Sequence, residues 1–161
     1  MLDLKKILEE NNIYFELYHH HAIYTNEDAV LMKEEYGFQG TETKSLFLKD
    51  KQGKHLIYFT FTTKRTDFKA LKKLVGKKLS VVVAEEMESL TGQKAGAVSP
   101  FGYEEEVPVI IDKELLLQEK LVFAPGRPDQ TMVIKSSQLF DILHLLKIEY
   151  YIFDSEEEAV D

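Results

Sequence analysis

The chain of 161 residues contains no cysteine, which excludes disulfide bonds, thiolate metal sites and a thiol nucleophile. It has no apolar run near the roughly 18 to 20 residues that a membrane-spanning helix needs, and its first residues lack the layout of a secretory signal. We therefore expect a protein outside the membrane, in the cytoplasm. Hydrophobic residues make up 44% and charged residues 30%, the balance of one globular domain.

The motifs of several common enzyme classes are missing. The chain has no glycine-rich dinucleotide fingerprint, no phosphate-binding loop and no nucleophile elbow around a serine. The run His19-His20-His21 is accompanied by no further ligand at a metal-binding spacing. Neighbouring side chains of a strand point to opposite faces, so at most His19 and His21 converge. We expect no metal site and no cofactor.

The net charge of −8, from 20 basic and 28 acidic residues, argues against a general polyanion binder. The charge is unevenly distributed, however. Residues 44–78 contain eleven basic and two acidic side chains, a net charge of +9. This basic segment suits a phosphate backbone, although a solvated, lysine-rich helix and hairpin explains the same composition.

The hydrophobic pattern predicts helices and strands in mixed order. Thr25 begins a capping box, which predicts a helix from about Asn26 to Tyr36 that stops near Gly37. Turn residues join two strand-like runs, 45–49 and 56–61, as a β-hairpin. Further strands are predicted at 14–18, 79–83, 107–111, 121–123, 132–134 and 148–153, and further helices at 4–10, 67–75, 85–90 and from a cap at Ser136.

Strands outnumber helices and occur both as hairpins and across helical crossovers. This order indicates an α+β or mixed α/β domain with a mixed, mostly antiparallel sheet and packed helices. A purely doubly wound topology is disfavoured because the hairpin strands lack a crossover helix. We predict one domain over residues 1–154, followed by a frayed acidic tail over residues 155–161.

Three short segments contain residues suited to chemistry. Lys44, at the start of a predicted strand, is a cation suited to stabilising an oxyanion or gripping a terminal phosphate, unless it points to solvent. Gly96 and Pro100 bracket a loop whose main chain a ligand can approach, although this spacing alone is a weak signal. The loop 123–131 joins two short strands, and a plain surface turn is the alternative interpretation.

These segments, in this order, resemble the YbaK/ProX-type aminoacyl-tRNA deacylases, which are related to the editing domain inserted in bacterial prolyl-tRNA synthetases. The resemblance covers residues 2–154 and implies the fold of that editing domain. It also implies hydrolysis, in trans and without a metal, of the ester that joins a wrong amino acid to the 3′ end of a tRNA. The matching segments are His21–Thr25, Thr43–Asp50, Asp67–Leu74, Gly96–Gly102, Val107–Asp112 and Phe123–Ile134.

The resemblance implies a set of site residues as well. Lys44 matches the hallmark active-site lysine of the family, and we expect its amine beside the backbone amides of the Gly96–Pro100 loop, with no dedicated side-chain base. Ala124 stands where some relatives carry histidine, so no histidine role is transferred there. The residues predicted to bind the substrate are His21, Tyr24, Thr43, Ser45, Gly96, Ala97, Val98, Ser99, Pro100, Gly126 and Thr131.

The expected partner is a mischarged tRNA, with tRNA-Pro carrying cysteine or alanine as the first candidate and no role for DNA. A prolyl-tRNA synthetase is a second candidate partner. Two alternatives stay open, namely a non-catalytic tRNA- or synthetase-binding module of the same fold, and a hydrolase of small esters or amides. The side chains predicted to contact tRNA phosphates are Lys64, Arg65, Lys69, Lys72 and Lys73.

Overall fold

The computed structural model describes residues 1–155, so most of the predicted acidic tail lies outside the described residues. Within this range no helix is long and apolar enough to cross a bilayer. The same range contains five α-helices: α1 (Leu4–Glu10), α2 (Asn26–Tyr36), α3 (Phe68–Val75), α4 (Ala84–Thr91) and α5 (Leu139–Leu145). Its eight strands are β1 (Phe15–His19), β2 (Thr41–Lys49), β3 (His55–Phe61), β4 (Ser80–Val81), β5 (Val109–Asp112), β6 (Lys120–Phe123), β7 (Gln130–Lys135) and β8 (Tyr150–Phe153).

The strands form one mixed sheet in the order β1-β7-β6-β2-β3-β5-β8, with β4 paired to β2. The central strand β2 is antiparallel to β3 and parallel to β6. Strand β5 is parallel to both β3 and β8, and the remaining pairs are antiparallel. The predicted mixed α/β domain with packed helices is therefore confirmed.

The two faces of the central strands enter different cores, because successive side chains alternate across a sheet. One face carries Phe47 and Phe59 into the larger core, which α1 and α5 complete. The opposite face carries Leu48 and Tyr58 against α3, whose Leu71 is fully buried. The polar side chains of these strands are consequently partly buried between the sheet and the elements packed on it.

The local signals for α2 and the hairpin are confirmed. The hydroxyl of Thr25 accepts a 3.0 Å hydrogen bond from the amide of Asp28, and the helix ends at Gly37 in the left-handed conformation with φ 70°. The β2–β3 turn is stabilised by the carboxylate of Asp50, which accepts hydrogen bonds from two amides of the turn.

Two other predicted elements differ from the structure. Ser136 does not cap a helix; it begins a short 3-10 turn and its hydroxyl donates to the carbonyl of Gln118, while α5 begins at Leu139 without a side-chain cap. The strand predicted over residues 79–83 is reduced to Ser80–Val81, which pairs with the end of β2.

Gly40 allows the start of β2 to approach β6. Its φ is 142°, and a Cβ atom at this position would lie 2.8 Å from Cγ2 of Val122 and 3.2 Å from the carbonyl oxygen of Lys120. A side chain on residue 40 therefore requires the two strands to shift apart.

Gly40→Ala is expected to lower the free energy of unfolding by about 3 kcal/mol, because an unfavourable φ is combined with a clash inside the sheet. Gly53→Ala is the matched control, since its φ is 84° and nothing lies within 4 Å of the added Cβ. Only the backbone cost of about 1 kcal/mol applies there. Urea unfolding measures both variants, and equal losses would contradict the close approach at Gly40.

Candidate active site

Lys44 lies inside β2, which begins at Thr41 rather than at the predicted Ser45. Alternation along the strand separates its neighbours. Ser45 shares the face of Phe47, which enters the larger core, whereas Glu42 and Lys44 point to the side where α3 packs further along. The candidate site is therefore on the α3 side of the sheet.

A row of small and polar residues crosses this side of the sheet at the level of Lys44. Lys44 pairs directly with Thr60 on β3. The parallel register of β2 and β6, extended past its last pair, brings Lys44 beside Ala124. The β6–β7 register, extended by one residue, brings Ala124 beside Thr131. Because the side chain of Ala124 is a single methyl group, it leaves space next to Lys44 in this row.

A chain of polar contacts fixes the amine of Lys44. Its Nζ donates a 2.5 Å hydrogen bond to the backbone carbonyl of Lys64. The amine of Lys64 in turn contacts carboxylate oxygens of Asp112 at 2.9 Å and Glu114 at 2.6 Å. Asp112 is 1% exposed and also accepts a 2.7 Å hydrogen bond from the hydroxyl of Thr60. The carbonyl that binds Lys44 is thus positioned through a buried carboxylate.

Lys64, which is predicted to contact tRNA phosphates, forms ion pairs with two carboxylates of the protein itself. Burial opposes its charge, but the hydrogen bonds to Glu114 and Asp112 outweigh that effect and raise the pKa of Lys64 above its ordinary value near 10.5. The amine is thus paired within the protein, and its contact with tRNA phosphates stays a prediction. The sequence reasoning missed Asp112 as a site residue, although an acidic residue that ends a buried apolar strand was a signal.

The Gly96–Pro100 loop is fixed by a second network of side chains. Gln93 is buried, accepts a 2.9 Å hydrogen bond from the amide of Ser99 and donates one of 2.9 Å to the hydroxyl of Tyr103. That hydroxyl donates to the carbonyl of Ser99 at 2.7 Å. Burial raises the pKa of Tyr103, so its hydroxyl stays a donor at neutral pH. The main chain of the loop is therefore well ordered by its neighbours.

Gln93 links the loop to the turn that follows Ala124. A Cβ atom on Gly126 would lie 3.0 Å from Oε1 of Gln93, so this turn packs directly on the side chain that also binds the amide of Ser99. Within residues 1–155, Lys44 makes no hydrogen bond or ion pair with residues 96–100; its bond goes to the carbonyl described above. Two of the loop amides already donate to protein acceptors. An ammonium and an amide N–H are both donors and form no hydrogen bond with each other, so the expected position of the amine beside the loop amides stays a prediction.

His20, rather than the predicted His21, is the histidine bound to the row. Its Nε2 lies 2.8 Å from the hydroxyl oxygen of Thr131 and its Nδ1 lies 2.7 Å from the carbonyl oxygen of His21. A carbonyl can only accept, so Nδ1 is the donor and Nε2 accepts from Thr131. The side chain of His21 is exposed, and that of Tyr24 is 78% exposed.

In the described part of the chain, no group of three or more His, Asp or Glu side chains is arranged to bind a metal.

Thr43 and Ser45, both predicted to bind substrate, lie on the opposite face from Lys44. The hydroxyl of Thr43 donates to the carbonyl of Val122 at 2.6 Å. The hydroxyl of Ser45 is buried, with no hydrogen-bond partner among the described residues. Residues that are adjacent in sequence are therefore separated by the sheet.

The predicted phosphate contacts other than Lys64 are exposed. Lys69, Lys72 and Lys73 lie on α3, and Arg65 lies just before it. Helix α3 packs on the same side of the sheet as Lys44, further along β2 toward the β2–β3 turn.

Two cavities of the molecule lie away from the polar row. One, of about 300 Å³, lies between residues 102–108 and 146–149. The other, of about 270 Å³, lies between the β2–β3 turn and the end of α3. Neither is lined by Lys44.

Lys64→Met is expected to destabilise the protein by about 2 kcal/mol at pH 7, because it leaves the buried carboxylate of Asp112 without its cation. The raised pKa of Lys64 sets the pH dependence. Its stabilising effect is complete below the unfolded-state pKa, about 10.4, and is lost as pH rises through the higher folded-state pKa. Urea unfolding of wild type and variant at pH 7, 9 and 11 measures this. A stability difference that grows at pH 11 would contradict the ion pair.

Comparison with known proteins identifies the family. The model of the aminoacyl-tRNA editing domain matches residues 20–142. The hypothetical protein APE2540 has a similar structure, with a TM-score of 0.75 and 18% identity over 92% of this chain and 97% of that chain. A candidate trans-editing enzyme for prolyl tRNA synthetase superposes with a TM-score of 0.73 and 23% identity over 94% of each chain. No curated protein sequence matches the chain. Since the matched domain spans most of its length, the chain belongs to the aminoacyl-tRNA editing domain family.

Proposed function

We propose that this protein is a trans-editing deacylase that hydrolyses the ester bond of mischarged aminoacyl-tRNA. Membership of the editing-domain family supports the substrate class. The likeness to a candidate trans-editing enzyme for prolyl tRNA synthetase favours tRNA-Pro and that synthetase as partners. We propose cysteine or alanine as the amino acid that is removed. The observation that carries the proposal is the fixed amine of Lys44 in a row of small and polar side chains.

Lys44 supplies positive charge where the reaction develops negative charge. A lysine ammonium has three donors, and the carbonyl of Lys64 uses one of them. The others bind the ester carbonyl oxygen and the 3′-terminal nucleotide. A water oxygen adds to the ester carbon, the carbonyl oxygen becomes an oxyanion beside Lys44, and the C–O ester bond then breaks. The proton of the water passes to the ribose oxygen, which leaves as a hydroxyl.

Asp112 acts as a support and not as the base for the attacking water. Its carboxylate is buried and receives hydrogen bonds from Thr60 and Lys64. We therefore assign activation of the water to the substrate and the main chain. The Gly96–Pro100 loop, which is ordered by Gln93, positions the terminal adenosine, and Gln93 also packs against Gly126.

A separate hydrolytic site suits small amino acids. A synthetase pocket for proline cannot strongly reject alanine or cysteine, because such small apolar differences supply only about 1 to 3 kcal/mol. Hydrolysis at a second site, after release from the synthetase, removes the error that binding alone leaves.

Lys44→Ala is expected to lower kcat/KM for deacylation of mischarged tRNA-Pro by about 100-fold to 1000-fold, the usual cost of losing one oriented oxyanion donor. Lys51→Ala in the exposed hairpin turn is the control and is expected to keep wild-type activity. Urea unfolding of both variants checks that the fold is intact. Wild-type turnover by Lys44→Ala would refute the assigned role of Lys44.

The lysines of α3 are expected to contact phosphates of the tRNA. The double substitution of Lys69 and Lys72 by alanine is expected to weaken tRNA binding and to reduce the slope of log K against log salt by about 1.5. The same change at Lys5 and Lys6, two exposed lysines of α1, is the control and is expected to leave the slope unchanged. Equal effects of the two pairs would contradict a specific role for α3.

A panel of mischarged tRNAs distinguishes the deacylase from a non-catalytic binding module of the same fold. Hydrolysis of at least one member, abolished by Lys44→Ala, is the expected result. Binding of tRNA without hydrolysis of any member would favour the module. Hydrolysis of an aminoacyl-adenosine as fast as of full tRNA would favour a small-ester hydrolase instead.

A further inference from the structure

Glu42 and Lys44 place opposite charges on the same face of β2. They are two residues apart on the strand, which corresponds to roughly 7 Å between their Cα atoms. Glu42 forms a 3.6 Å ion pair with Lys33 of α2, whereas Lys44 is bound to the carbonyl of Lys64. Both side chains remain partly exposed. The two charges therefore lie on one face of the sheet, with Glu42 bound toward α2 and Lys44 bound toward residues 62–66.

The carboxylate of Glu42 is only weakly neutralised by its neighbour. The amine of Lys33 donates a 2.5 Å hydrogen bond to the carbonyl of Gly40, which is much shorter than its 3.6 Å contact with Glu42. Burial raises the pKa of Glu42, and the attraction of Lys33 offsets this only in part. With 39% of its side chain exposed, Glu42 is accessible to a second cation.

We propose that Glu42 binds the α-ammonium group of the aminoacyl ester while Lys44 binds its carbonyl oxygen. This inference rests on the proposed function and names the feature of the substrate that the site recognises. Bond lengths place the α-nitrogen and the carbonyl oxygen of an amino ester within about 3.6 Å of each other. A charge-assisted hydrogen bond of about 2.8 Å at each end lets this unit bridge the two side chains.

The pair distinguishes an aminoacyl ester from an N-blocked one. Peptidyl-tRNA has an amide in place of the α-ammonium group, so it forms no charge-assisted bond with Glu42, whose carboxylate keeps only its 3.6 Å contact with Lys33. The same ester bond in peptidyl-tRNA is therefore protected from hydrolysis by this protein, although both substrates share the tRNA and the 3′ linkage.

Deacylation of alanyl-tRNA-Pro and N-acetyl-alanyl-tRNA-Pro by wild type and by Glu42→Gln tests this assignment. The wild type is expected to prefer the free amine by at least about 30-fold in kcat/KM. Glu42→Gln keeps the size of the side chain without its charge. It is expected to lose about 30-fold on the free amine and less than about 3-fold on the acetylated substrate. Equal losses on both substrates, or an unchanged preference, would overturn the proposal.

Two controls accompany this measurement. Glu35→Gln removes an exposed carboxylate of α2 and is expected to keep the wild-type preference. Glu42→Asp keeps the charge on a shorter side chain and is expected to retain part of the preference, which a purely structural role of Glu42 would not produce. Loss of the whole preference in Glu42→Asp with an intact fold would count against a charge contact.

Binding of a non-hydrolysable analogue separates this inference from the proposed function. The probe is 3′-alanylamino-3′-deoxyadenosine, compared with its N-acetyl form. If the wild type hydrolyses no aminoacyl-tRNA but binds the free-amine probe more tightly in a Glu42-dependent manner, the deacylase proposal fails and the ammonium site stands. If hydrolysis proceeds with a preference that Glu42→Gln does not change, the deacylase stands and the ammonium site falls.

Discussion

The hydrogen bond from Lys44 to the backbone carbonyl of Lys64 is the contact on which the site depends. A lysine side chain loses about 2 kcal/mol of rotamer freedom when it is fixed, so its orientation requires a stable acceptor. A carbonyl fixes the ammonium without cancelling its charge. The charge of Lys64, by contrast, is paired with the carboxylates of Asp112 and Glu114. Among the described residues, the charge of Lys44 therefore has no carboxylate partner, whereas that of Lys64 is paired within the protein.

The two sides of the sheet have different roles. The larger core on one side, with its aromatic cluster of Phe59, Phe101 and Phe123, orders the loop that follows Gln93. The other side presents the polar row. Gly126 connects the two, since the turn it belongs to packs against Gln93 while it continues from the row.

The elements around the site could be predicted where they depend on neighbouring residues in the sequence. They could not be predicted where they depend on partners far along the chain. The cap at Thr25 and the turn at Asp50 depend on residues within four positions, and both predictions are confirmed. Ser136 had the same local signal, but its hydroxyl bonds to Gln118 on the preceding connection.

Contacts between distant parts of the chain were also missed at the site. The charge pattern could not show that Lys64 pairs with Asp112 and Glu114, because these carboxylates lie far along the chain. His20 was missed because only the β1–β7 pairing brings it to Thr131. By contrast Lys44 was singled out from its sequence segment, and the face on which it lies follows from the alternation of β2, once the limits of that strand are known.

The parallel pairing of β2 with β6 and of β3 with β5 has a consequence for the order in which the protein matures. Both pairings join the first half of the chain to the second, and contacts of such long sequence separation form late in folding. A growing polypeptide on the ribosome contains Lys44 long before Asp112, Ala124 and Thr131 have been synthesised. The candidate site is consequently incomplete in a nascent chain, and a chain truncated before β6 contains Lys44 without Ala124 and Thr131 beside it.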